Sequence, residues 1–340
     1  MKVLLIGGTG TISTAISRKL ATMYGVELFL INRGTRNCIL PDTVHFLTAD
    51  INDENTISRM IEELNFDAVC EFIGFEPSDV ERDFRLFNGK TLQYIFISSA
   101  SAYNKMPPSP VITEGTSLKN PYWDYARKKM DCEEFLMRMY RECEFPVTIV
   151  RPSHTYDERK VPLAIHGKNG TWQVIKRIME EKPVIINGDG TSLWTITSSE
   201  DFAKGFIGPI GNRKAIGEAF HITSDVSISW TQIYQIVANY FGVSLHPYYV
   251  SSQFLIRASD GLYDFNGELW GDKAHTVLFD NSKIKNAVPG FCATVTPEEG
   301  IRRTLDWCLS HKECQKEDEE FDRWCDRVIS VLNQAVSNFK

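Results

Sequence analysis

The chain has 340 residues, 43% hydrophobic and 24% charged, enough for a sizeable core and, by length, for two domains. Its formal net charge of −7 argues against broad attraction to nucleic acid or an anionic membrane, and no apolar run is long enough to span a bilayer. The apolar run after Lys2 is short and ends in glycines, so no secretory signal is expected, and the eight cysteines (Cys38, Cys70, Cys132, Cys143, Cys292, Cys308, Cys314, Cys325) show neither a CxxC pair nor histidine-rich spacing. They read as reduced thiols of a cytoplasmic protein with no metal site.

Residues 2–6 read as a short buried strand, Gly7, Gly8 and Gly10 break it, and Ile12, Ile16, Leu20 and Met23 recur at helical spacing. Strand, glycine turn and helix together form a phosphate cradle. The glycines allow a tight turn and the approach of a pyrophosphate, and the amides opening the helix hold the anion. Gly7, Gly10, Thr11 and Ile12 are the residues expected there; Ser13 stands where the pattern asks for a third Gly or Ala, and is small enough for helix-to-strand packing. Apolar strands follow at 26–31, 44–48, 68–73, 92–98 and 147–150, alternating with helical patterns at 54–64, 78–87 and 123–143. The alternation predicts an α/β fold, a doubly wound parallel sheet with ligands beyond the carboxyl ends of its strands.

Those ends carry candidates. The second strand closes on Asn32, Arg33 and Gly34, where an NAD enzyme usually presents a carboxylate to the adenosine ribose. A guanidinium suits a 2′-phosphate instead, so Arg33, with Arg36, tilts the expected cofactor from NAD toward NADP; stacking on adenine or facing solvent is the alternative. Asp50, after the third strand, is placed either to accept from the adenine amine or to cap the helix beginning near Glu54.

Tyr125 and Lys129 lie four apart in segment 121–133 (PYWDYARKKMDCE), on one helix face. A neighbouring ammonium favours the phenolate form of a tyrosine, which suits acid/base work. Upstream, 94–103 (YIFISSASAY) reads as a buried strand ending in hydroxyls, with Ser99 able to hold a substrate oxygen beside Tyr125.

With the glycine turn, Asp50-Ile51, Glu114 before Pro121, and Arg151-Pro152 through Tyr156, these motifs resemble the extended short-chain dehydrogenase/reductase family, which contains sugar-nucleotide epimerases and dehydratases. The resemblance covers most of residues 1–310. It implies a dinucleotide-binding Rossmann domain over 1–160 and a smaller substrate domain over 161–312, with some strands returning to the main sheet. It makes Ser99, four before Tyr103, the catalytic hydroxyl, Tyr125 the acid/base and Lys129 the holder of the nicotinamide ribose that also tunes Tyr125. Phe72, Ile73 and Gly74 fall where relatives pass the cofactor, and Ile51 and Pro152 complete that set. Ser101 is implied as a helper of Ser99 and His154 as a residue near the nicotinamide side, a structural role being the alternative for each.

Members that dehydrate a sugar follow the hydroxyl residue with an Asp-Glu pair; Ala100 and Ser101 stand there, which demotes dehydration. Segment 188–203 (GDGTSLWTITSSEDFA) resembles one carrying a diphosphate-binding arginine, and Trp194 takes that place. A second arginine is expected before a Gly271-Asp272 turn, where Leu269 and Trp270 stand. The reading is therefore an aromatic substrate pocket at Trp194, with core packing as its alternative. Residues 313–340 form an amphipathic terminal helix carrying Phe321, Trp324, Val328, Ile329 and Leu332 at helical spacing, placed to pack on its own body or in a homodimer. The expected activity is NAD(P)-dependent epimerisation or redox of a small, hydroxylated, carbohydrate-like substrate by hydride transfer. The rival is a nucleotide-sensing or RNA-binding protein on the same fold, since relatives with the Asn-Arg-Gly strand end include RNA-associated chloroplast proteins; the acidic total and intact Ser99, Tyr125 and Lys129 weigh against it.

Overall fold

The computed structural model describes residues 1–35 and 39–339, so Arg36 and Cys38 lie outside the described residues. The chain forms two compact units. The first comprises Met1–Thr155, Thr197–Asp225 and Phe279–Thr294. Its centre is a seven-stranded sheet containing β1 (Lys2–Ile6), β2 (Glu27–Asn32), β3 (His45–Thr48), β4 (Ala68–Glu71), β5 (Tyr94–Ile97) and the later strands Val147–Pro152 and Ala219–Ile222. Across the sheet the order is Ala219–Ile222, Val147–Pro152, β5, β4, β1, β2, β3, and every neighbouring pair is parallel. β1 is thus flanked by β2 and β4, so the strand order reverses beside the glycine turn.

The central strands are apolar at consecutive positions because both sheet faces are covered. Val3 and Leu5 enter one core with Ile16 and Leu20 of α1 (Ser13–Ala21) and with Phe202 and Phe206 of the helix Ser199–Ile207. Leu4 and Ile6 enter the opposite core with Ile57 of α2 (Glu54–Met60), Val80 and Phe87 of α3 (Pro77–Phe87), and Cys132 and Leu136 of α4 (Asp124–Cys143). The fold is the doubly wound α/β arrangement that the alternation predicts. β4 and β5 stop short of the expected 68–73 and 92–98 because the chain turns where the site is built; the Ile73 amide donates to the Glu71 carboxylate rather than continuing the ladder.

The second unit comprises Tyr156–Ile196, Val226–Leu278 and Val295–Lys340. Short strand pairs, Val184–Asn187 with Pro247–Val250 and Leu193–Trp194 with Ile228–Ser229, lie among helices Trp172–Met179, Trp230–Phe241, Ser252–Ser259 and Pro297–Ser310. Gly271 and Asp272 do not make a turn: they sit inside a π-helical segment, Asn266–Lys273. The terminal helix Glu319–Ser337 buries Phe321, Trp324, Cys325, Val328 and Ile329 against this unit. Arg177 of Trp172–Met179 holds it through Asp322 and Asp326, each at 2.7 Å. Among the described residues no helix is long and apolar enough to cross a membrane, and no group of His, Cys, Asp and Glu is placed to hold a metal ion.

Candidate active site

The glycine turn is closed by a side chain. Ser13, 1% exposed, donates to the Gly7 carbonyl at 2.6 Å and accepts from the Gly10 amide at 2.8 Å, so the residue that departs from the motif ties its two ends together. Gly7 has φ of +82°, and a Cβ there would clash with Ile73 Cγ2, so both its conformation and its close neighbour require glycine. Thr11 and Ile12 lead into α1, which has no side-chain cap and whose Thr14 amide donates to the Gly10 carbonyl at 3.1 Å.

On one side of this turn lies a cavity of about 340 Å³ walled by Asn32, Arg33, Asp50 and Ile51 together with Gly7 and Gly10. The Asn32 side chain accepts from the Gly34 amide at 3.0 Å, which fixes the chain's exit from β2 and leaves Arg33 exposed on the cavity wall. Asp50 is not the helix cap. That role belongs to Asp53, whose carboxylate accepts from the Thr56 amide at 3.1 Å, and Asp50 stays on the cavity.

A second cavity, of about 390 Å³, shares Gly7, Gly10 and Ile73 with the first. Thr11, Ile12, Phe72 and Pro152 line it, and Ser99, Tyr125 and Lys129 converge on it. Tyr125 stands in the first turn of α4, just after the strand-like residue Trp123, with its ring 4.9 Å from the Trp123 ring and 6.3 Å from that of Phe75. One turn on, Lys129 is 1% exposed and donates to the carbonyls of Gly74, in the turn after β4, and Ile97, the last residue of β5, both at 2.7 Å. Its Nζ lies 4.8 Å from the ring centres of Phe75 and Phe96 and 5.8 Å from that of Tyr125. Burial lowers this ammonium to about 8.

Behind β4 a buried polar cluster braces the wall. Arg82 of α3 reaches Asp83 at 2.8 Å and Glu71 at 3.5 Å, and the Tyr94 hydroxyl donates to Asp83 at 2.7 Å. Burial first, and then the Asp83 charge, push the Glu71 carboxyl well above its usual range, while the same Glu71 accepts from the Ile73 amide that walls both cavities.

Other expected residues stand elsewhere. Gly74 serves through its carbonyl, on Lys129. Ser101 is 4% exposed and bonds Ser99 rather than lining the cavity. Ser153 and Thr155 line the cavity on either side of His154, because alternate side chains of an extended segment point to opposite faces. Trp194 belongs to the second unit, 4% exposed and stacked on Trp230 with ring centres 5.8 Å apart, so its indole is core rather than open pocket wall. Sequence reasoning passed over Ser98, which lines the second cavity and whose buried hydroxyl has no hydrogen-bond partner among the described residues. Its place at the carboxyl end of β5, beside Ser99, was the available signal.

Residues 84–222 match the model of the NAD dependent epimerase/dehydratase family. Proteins that the chain resembles include a 2′-dehydrokanamycin reductase of Streptomyces kanamyceticus, 22% identical over 75% of this chain and 70% of that protein. A chloroplast stem-loop binding protein of 41 kDa from Arabidopsis thaliana is 26% identical over 67% of this chain and 60% of its own length. Among solved structures, the UDP-glucuronic acid 4-epimerase of Bacillus cereus in complex with UDP-glucuronic acid and NAD superposes with a TM-score of 0.72 at 19% identity, over 91% of this chain and 99% of that one. The chain shares the fold of that structure.

Proposed function

We propose that this chain is a nicotinamide-dependent epimerase or oxidoreductase acting on a hydroxylated, carbohydrate-like substrate, with NADP preferred over NAD. The observation that carries the reading is the convergence of Ser99, Tyr125 and Lys129 on one cavity that continues past the glycine turn. The residues fit a dinucleotide. Gly7 leaves a cradle that a Cβ would fill, and the Ser98 hydroxyl is buried at the cavity without a partner among the described residues. Gly7, Gly10, Thr11 and Ile12 would hold the pyrophosphate, Asn32, Arg33 and Gly34 the adenosine ribose with its 2′-phosphate, Asp50 and Ile51 the adenine, and Phe72, Ile73 and Pro152 the path toward the nicotinamide. When bound, that group accepts or gives a hydride.

The chain's own part is proton handling and orientation. Lys129 spends two donors on backbone carbonyls, which fixes the ammonium and leaves one donor for a ribose hydroxyl. Held there, its charge favours the phenolate of Tyr125, so the phenol can take a proton from a substrate hydroxyl or return it to a carbonyl. Ser99 holds the same substrate oxygen. Ala100 and Ser101 bring no carboxylate to the site, so water elimination lacks its acid and base.

The test is a substrate panel of free sugars, aminoglycosides and UDP-sugars with each nicotinamide cofactor, followed by nicotinamide absorbance and product stereochemistry together. The Tyr125→Phe variant should lose turnover and keep cofactor affinity within about twofold, since only the transferable proton is gone. Turnover close to the parent's would remove Tyr125 from the mechanism. Binding of a stem-loop RNA at physiological salt, with no turnover across the panel, would favour the nucleic-acid reading instead.

A further inference from the structure

Ser99 is locked from behind. Its Oγ caps a short 3-10 turn, Ala100–Ala102, accepting the Ser101 amide at 3.1 Å and, from the same residue, the Ser101 hydroxyl at 2.8 Å. A hydroxyl has two acceptor lone pairs and one proton. Both lone pairs are therefore occupied by one neighbour, and the proton is the only polar function left to face the cavity that Ser99 lines.

Ser101 is itself held. It is 4% exposed, and its carbonyl accepts from the Asn120 side-chain amide at 2.7 Å; Asn120 is 1% exposed and also accepts from the Tyr122 amide at 3.2 Å. Asn120 thus ties the serine turn to the segment that enters α4 just ahead of Tyr125.

We infer that Ser101 is a positioning residue that makes Ser99 an obligate hydrogen-bond donor, so that the site selects a substrate oxygen presenting a lone pair toward Ser99. This inference rests on the proposed role of Ser99. The consequence is a division of labour: Ser99 donates to the reacting oxygen throughout, and Tyr125 alone exchanges its proton. A carbonyl oxygen accepts from both hydroxyls. An alcohol accepts from Ser99 while giving its proton to the Tyr125 phenolate, and in neither direction does Ser99 change protonation state. The donor is aimed before substrate arrives, so the reacting oxygen, whose negative charge grows as hydride is added, meets a group that needs no reorientation.

The direct test needs no substrate. A joint X-ray and neutron structure of the deuterated full chain with NADP should place the Ser101 deuterium on the line to Ser99 Oγ and the Ser99 deuterium toward the cavity; a Ser99 deuterium directed at Ser101 overturns the inference. The kinetic arm uses phenanthrenequinone and NADPH. Ser101→Ala should lower kcat about tenfold with KM within about twofold, and Ser101→Thr, which keeps the hydroxyl, should recover most of the loss. Equal rates for Ser101→Ala and the parent, or a Ser101→Thr variant as slow as Ser101→Ala, overturn it. Failure of the redox reading looks different: the parent is then inert with the quinone while the neutron geometry stands.

Discussion

Replacing Ser13 by alanine isolates the side chain that closes the glycine turn. The change keeps the Cβ and the close helix-to-strand packing and removes two hydrogen bonds, to the Gly7 carbonyl at 2.6 Å and from the Gly10 amide at 2.8 Å. Each is worth about 1 kcal/mol net, so the loss is about 2 kcal/mol. Alanine's better helix propensity returns roughly 0.5 kcal/mol at most, because Ser13 is the first residue of α1. The hydrogen bonds therefore win by about 1.5 kcal/mol. For a unit of this size that lowers the melting temperature by roughly 3–6 °C, read by circular dichroism on the cofactor-free protein. If the loosened turn must be re-ordered on binding, affinity falls by no more than the same free energy, roughly tenfold in Kd by calorimetry. A variant that melts with the parent and binds as tightly would show that Ser13 only fills space, and the assignment of the turn's rigidity to its hydroxyl would be wrong.

Further predictions concern the cofactor, the second unit and pH. Arg33→Ala should weaken NADP binding about tenfold and leave NAD binding nearly unchanged, measured by calorimetry; a parent that binds NAD more tightly than NADP defeats the preference. Trp194→Ala should destabilise the second unit by about 3–5 kcal/mol in urea, because a buried stacked indole leaves a cavity; a loss below about 1 kcal/mol would place the ring in open solvent instead. Lys129 loses its proton as pH rises through about 8. Carbonyl reduction that requires the charged ammonium beside Tyr125 should therefore decline above about pH 8, and a profile flat to well beyond that point would show that the charge is dispensable.

The centre of the sheet was legible because β1, β2, β4 and β5 are buried on both faces, so runs of consecutive apolar residues mark them, whereas the edge strand β3 is mostly exposed. The strand ends were not. Where β4 stops depends on the Glu71 carboxylate capturing the Ile73 amide, a choice between a ladder and a side-chain partner that hydrophobic pattern does not encode. The Tyr125 and Lys129 spacing could be seen to share a helix face, yet nothing local shows that Lys129 finds its acceptors in Gly74 and Ile97, distant in the chain and brought together by parallel pairing of β4 with β5. Ser13 was legible as small and not as bonded. Trp194 was the costliest reading, since alignment with an arginine says nothing about whether an indole meets a ligand or, as here, Trp230.

The acid at the end of β4 has one more effect. Burial pushes the Glu71 carboxyl well above its usual range, beside Asp83 and Arg82. Folding takes up a proton at this position: the folded chain holds what an unfolded glutamate, with its ordinary value of 4.5, would release. The stability tied to that proton is present in acid and drains away as pH rises beyond 4.5 toward the folded value. Once pH passes the folded value the trio gains a negative charge, and it does so behind the Ile73 amide that Glu71 itself holds. That added charge would make the wall less favourable to an anion than the protonated form.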